Sequence, residues 1–162
     1  SSILAYTGQR KLSIMDVESK DTLLDSVVSL SENKSYSALA FSLQDSTHLL
    51  FTQDNSITLE EQSGIRFLNV ADSELSVSLF IGDDTEAIVE NRPTETDTTV
   101  TEHQKFVAQE AGTYTLVVKD AEGNTLATRE DITLKSKNYY SLILSGDPTQ
   151  EETPLYLGIV TH

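Results

Sequence analysis

The chain has 162 residues, enough for one large domain or two small ones. Its formal charge of −15, from 26 acidic and 11 basic residues, argues against partners that need a cationic face, namely nucleic acid and anionic membrane surfaces. The absence of cysteine removes disulfides and thiolate sites, and no apolar run reaches the ~18 residues that mark a membrane-spanning helix.

In chain order, "YTGQRKLSIMDVESKDTL" (6–23) reads as strand, turn, strand. "TQDNSITLEEQSG" (52–64) has the polar, uneven texture of a linker. "GIRFLNVAD" follows as a strand, with Ile65 and Phe67 on one face and Leu68 and Val70 on the other. In "ELSVSLFIGDD", Leu75, Val77, Leu79 and Ile81 share one face, which is the period of a half-buried strand. "GDDTEAIVENRPTETDTT" (82–99) holds only a short apolar patch between polar turns, and "TTVTEHQKFVAQ" comes after it. "TYTLVVKD" groups Tyr114, Leu116 and Val118. "KDAEGNTL" is a hairpin tip over Asp120 to Asn124, where Gly123 tolerates positive φ. "NYYSLILSG" and "PLYLGIVTH" are the closing strands, separated by the acidic loop 145–154 with its two prolines. No long segment carries a helical period. Many short strands with turns every 8 to 12 residues, roughly, predict an all-β protein, an antiparallel immunoglobulin-like β-sandwich. Expected buried residues are Leu12, Ile14, Leu75, Val77, Leu79, Leu116, Val118, Leu142 and Leu144.

The chain also repeats itself. At an offset of 104 residues, Gly8 meets Gly112, Leu12 meets Leu116, Asp16 meets Asp120 and Glu18 meets Glu122; Leu30, Tyr36 and Ser37 meet Leu134, Tyr140 and Ser141. The economical reading is two units, a partial one over 1–58 and a complete one over 62–162. The first lacks the opening strands that precede the match in the second. A sandwich without those strands exposes sheet edges: either upstream sequence supplies the strands, or the first unit packs on the second, or another chain donates them, a known mode of assembly.

Chemistry is scarce. Nucleotide-binding, nucleophile-elbow and zincin motifs are absent. His48, His103 and His162 are far apart and read as solvent-facing residues rather than a metal site. Calcium is the remaining metal to weigh, with Asp83, Asp84, Glu86, Asp147 and Glu151 as candidate ligands. None follows a calcium-loop spacing, so these are read as solvated loop carboxylates and no cofactor or enzymatic activity is expected.

"EAGTYTL" has the spacing of a tyrosine corner, which gives Tyr114 a structural role together with Gly112, Gly123 and Tyr140. Residues 64 to about 160, through "IRFLNVAD", "LSVSLFIGDD", "AGTYTLVVKD", "ITLKSKNYYSLILSGD" and "LYLGIVTH", resemble a bacterial cell-envelope family catalogued as domain of unknown function 4397. The latter part of that pattern recurs in residues 7–55. The resemblance implies exported immunoglobulin-like sandwiches, often tandem and often lipoproteins, without catalytic residues. The lipidation cysteine and the opening strands of the first unit are missing from this pattern. The expectation is a non-catalytic module of the envelope, at the outer surface or in the periplasm, for adhesion or assembly, with self-association through sheet edges. The alternative is a glycan- or protein-binding module using the 82–99 and 145–154 loops.

Overall fold

A computed structural model of the chain describes residues 4–44, 46–82 and 84–162. The elements are β1 (Gly8–Met15), β2 (Thr22–Leu30), β3 (Tyr36–Leu43), β4 (Ser46–Gln53), β5 (Ser63–Asn69), β6 (Val77–Ile81), β7 (Val89–Arg92), α1 (Val100–His103), β8 (Val107–Gln109), β9 (Gly112–Lys119), β10 (Thr125–Leu134), β11 (Tyr139–Ser145) and β12 (Tyr156–Thr161). The protein is all-β, with sheets packed as a sandwich.

Two four-stranded sheets, β10-β9-β6-β7 and β12-β11-β5-β8, enclose the main core. Phe67, Val77, Leu79, Leu116, Val118, Leu142, Leu144 and Leu157 meet there. Alternation explains the choice: on each strand every second residue faces the opposite sheet. β5 departs from alternation because it is buried throughout. One of its faces lies on the sandwich core, and Leu68 and Val70 on the other pack against Leu50 and Val100.

Three expectations need correction. The sandwich is not wholly antiparallel, since β5 runs parallel to β11 in the register Ile65↔Tyr140 and Phe67↔Leu142. The chain between them crosses to the other sheet and back, as a parallel pairing requires. Leu75 is 38% exposed, because β6 starts only at Val77. Leu12 and Ile14 are half-buried rather than core residues. The 82–99 stretch also holds more structure than expected: it contains β7, with Ile88 and Val89 packed on the core and Glu95 buried.

The first four strands form two separate hairpins, β1-β2 and β3-β4, each a two-stranded sheet. Their hydrogen bonds recur 104 residues later. Tyr36 Oη accepts from Ser31 N–H (3.1 Å), as Tyr140 Oη accepts from Lys135 N–H (2.9 Å). By hairpin register rather than by the offset, Asp54 N–H donates to Ser35 O as His162 N–H donates to Tyr139 O. Asn33 and Lys137 both take positive φ, 55° and 63°. Asp16 and Asp120 each turn a hairpin by accepting backbone N–H groups, from Glu18 and Ser19 in one and from Glu122 and Asn124 in the other. The ungapped offset survives one local difference. β10 carries a bulge near Asp131 (φ 56°), and its tip, Asp120–Asn124, is one residue shorter than Asp16–Asp21.

Tyr114 Oη donates to Glu110 O at 3.0 Å, four residues upstream. A Cβ on residue 112 would lie 2.9 Å from that hydroxyl, so glycine at 112 leaves the corner its room.

Candidate functional site

Equivalent positions in the two hairpin pairs have different surroundings. In the sandwich, Leu116, Val118, Leu142, Leu144 and Leu157 are all buried. The residues aligned with them by the offset and by hairpin register are Leu12, Ile14, Ala38, Ala40 and Leu49. Leu12, Ile14 and Leu49 are half-buried, and Ala38 and Ala40 are exposed. The difference comes from the neighbours. β9 lies between β10 and β6, and β11 lies between β12 and β5. Among the described residues, β1 and β3 have only their hairpin partners. Between β2, β4 and the 97–101 segment lies a groove of ≈ 470 Å³, lined in part by Ser26, Val28, Tyr36, Leu49, Phe51 and Val100. Tyr36 and Phe51 stack within it, with ring centroids 5.1 Å apart.

The opposite side of β3-β4 is fastened to the sandwich. Leu50 is buried against Leu68, Val70 and Val100, with Leu39, Phe41 and Ile143 alongside. At the centre is Arg66, whose side chain has no exposed surface. Its Nε donates to Ser141 Oγ (2.7 Å), and its terminal nitrogens reach Ser37 Oγ (3.0 Å), Thr52 Oγ1 (3.1 Å) and the Asp54 carboxylate (2.7 Å). The guanidinium also stacks over Phe106, 4.7 Å from its centroid. Ser37 and Ser141 are related by the 104-residue offset, so one cation is held by the same position of both hairpin pairs. Burial draws the Arg66 guanidinium below its usual pKa, and Asp54 opposes this. Arginine nonetheless remains a cation.

His162 completes the cluster. Ser141 Oγ is 2.7 Å from His162 Nε2, Phe106 packs edge-on to the imidazole, and Asp54 Oδ2 is 3.9 Å from Nδ1. Burial is the main cause that lowers the His162 pKa from its ordinary 6.5; Asp54 raises it and Arg66 lowers it further. The folded state thus favours neutral imidazole. Below the unfolded pKa the unfolded chain binds more protons, so stability declines as pH falls through the window beneath about 6.5. The urea midpoint is expected to fall between pH 7 and 5, and His162→Gln is expected to flatten that slope. The exposed turn and hairpin carboxylates Asp16, Asp25 and Asp120 have pKa values lowered from 3.8 by their hydrogen bonds. Their contribution is lost only at more acid pH, outside the histidine window.

The other histidines correct the sequence reading in part. His48 is exposed on β4 and stacks on Phe41. His103 lies in α1, and its Nδ1 is 2.9 Å from buried Glu95, which also accepts from Thr99 Oγ1 and lies 3.7 Å from Arg92. Among the described residues, no group of three or more His, Cys, Asp or Glu side chains is arranged to hold a metal ion. Asp84, Glu86 and Glu151 are exposed, Asp147 accepts from the Thr149 N–H and hydroxyl in its own turn, and Asp83 lies outside the described residues. No helix among the described residues is long and apolar enough to cross a membrane. Comparison of the sequence with known protein families and with curated proteins finds no match.

Proposed function

We propose that the chain is a non-catalytic module of a bacterial cell envelope that serves adhesion or assembly by accepting a β-strand from another polypeptide. The observation that carries this reading is the pair of open edges: Leu12, Ile14 and Leu49, residues with the pattern of a sandwich core, are only half-buried, in hairpins whose strands β1 and β3 have no second strand neighbour among the described residues. Exposed edges of this kind are normally blunted or covered. The envelope location and lipoprotein character rest on the resemblance of residues 64–160 to the exported family. Tandem immunoglobulin-like units, the first one partial, account for the hydrogen bonds that recur at the 104-residue offset.

The test compares retention of three proteins on immobilised envelope protein: the chain, its Ser13→Pro variant, and a variant whose 82–99 and 145–154 loops are shortened. Circular dichroism confirms folding of each. Proline at 13 removes a donor from the β1 edge. Loss of retention in Ser13→Pro alone is the expected result. Retention that follows the loops instead transfers the function to the alternative loop-binding reading.

A further inference from the structure

The sandwich half of the molecule displays what fits the open edge of the other half. β6 pairs antiparallel with β9 in the register Ile81↔Leu116, Phe80↔Val117, Leu79↔Val118 and Ser78↔Lys119, and Gly82 N–H donates to Thr115 O. β1 matches β9 residue for residue at the 104-residue offset, and β2 packs beside β4 as β10 packs beside β12. Among the described residues, no strand occupies the β6 place along β1.

Charge adds a second requirement. Where β9 has Tyr114 and Thr115, β1 has Arg10 and Lys11, both exposed, in a chain of net charge −15. Lys11 pairs with Asp25 at 2.7 Å, whereas Arg10 donates only to the carbonyls of Tyr6, Thr7 and Gln9. In the sandwich, Gly82, after which the sequence turns acidic, donates to the carbonyl of Thr115, the position that corresponds to Lys11. A second copy of the chain has no such strand to spare, because β6 is already held between β9 and β7.

We propose that the β1 edge is an acceptor for a strand of the β6 kind from another polypeptide: alternating apolar residues followed at once by an acidic turn, added antiparallel so that its apolar residues lie opposite Leu12 and Ile14. This rests on the strand-accepting reading above and specifies the partner. It places apolar side chains beside Leu12 and Ile14, and acidic groups near Arg10. Antiparallel residues that bond a neighbour use both N–H and C=O on one side. Thr115 turns its carbonyl to β6, so the equivalent Lys11, and Ser13 two residues on, present theirs to the open edge.

The probe is the synthetic peptide SELSVSLFIGDD, the sequence of residues 73–84, added to the full chain while amide exchange is followed by NMR. A second format joins residues 62–84 through a flexible linker ahead of Ser1, so that peptide solubility does not decide the result. Exchange at Lys11 and Ser13 is expected to slow at least tenfold in either format, with Val117 and Lys119 unchanged. Arg10→Glu is expected to weaken peptide binding about tenfold, and a peptide with aspartate at the positions of Leu79 and Ile81 to give no protection. Absence of protection in both formats, with a monomeric chain, overturns the inference, while the retention assay judges the strand-accepting reading separately. A chain that self-associates with Lys11 and Ser13 already protected also overturns it, in favour of a second copy, and leaves the assembly reading standing.

Discussion

Arg66→Ala is expected to lower the unfolding free energy by about 3–5 kcal/mol, read from urea denaturation, because it strands a carboxylate inside the protein. Asp54 is largely buried and loses its only guanidinium, and Ser37, Thr52 and Ser141 lose a donor at the same time. Among the described residues every buried side-chain nitrogen and oxygen has a partner, so the cluster has no slack to absorb the loss. For a domain whose total stability is typically about 5–15 kcal/mol, this is roughly a fifth or more of the whole. The damage should be local at first, since the cluster joins β3-β4 to β5 and β11. Amides of β4 should exchange faster before those of β9. Removing Asp54 as well restores the balance of charge. The pair Arg66→Met with Asp54→Leu is therefore expected to cost less than the sum of the two single changes, by about 1–3 kcal/mol of coupling. Additive losses would show that Arg66 acts through packing on Phe106 rather than through Asp54.

Leu116→Ala and Leu12→Ala exchange the same residue at the same place in the repeat, yet their costs should differ several-fold. Leu116 is fully buried among Val77, Leu79, Val118 and Leu142, so truncation leaves a cavity and is expected to cost about 3–5 kcal/mol. Leu12 is only half-buried, so little is left behind, and a loss below about 1 kcal/mol is expected. Thermal or urea unfolding of the two variants settles the comparison. Equal costs would mean that the β1 edge is covered in solution. With the β6-type strand fused ahead of the chain, the cost of Leu12→Ala should rise toward that of Leu116→Ala.

The period-two alternation of Leu116 with Val118 and of Leu142 with Leu144 was enough to identify strands and their buried faces, and Asp120 to Asn124 forms a hairpin tip as the turn chemistry indicates. The state of Leu12 and Ile14 was not legible, because a strand carries the same alternation whether or not another strand lies beside it. Burial on an edge is decided by the neighbour, and the neighbour is elsewhere in the chain or in another molecule. Arg66 was missed for a related reason. Its partners Thr52 and Ser141 are 14 and 75 residues away, which no local pattern reports. One signal was available: a single arginine inside the otherwise apolar run "GIRFL" must be satisfied internally if the strand is covered on both faces. Leu75 was misplaced because the alternation runs two residues beyond the point where pairing begins.

The parallel pairing of β5 with β11 sets a timetable for folding. Hairpins close in about 1–10 μs, whereas pairing that brings distant segments together pays loop closure first and is slow. β1-β2 and β3-β4 are consecutive hairpins and can form as soon as they are synthesised. The seam between β5 and β11 waits for nearly all the remaining chain, which at about 5–20 residues per second is a matter of seconds on the ribosome. During that interval the N-terminal hairpins exist without the sandwich they dock on, with both of their faces uncovered. These hairpins are then at their most adhesive, and a chaperone has the most reason to hold residues 8–53 during that interval.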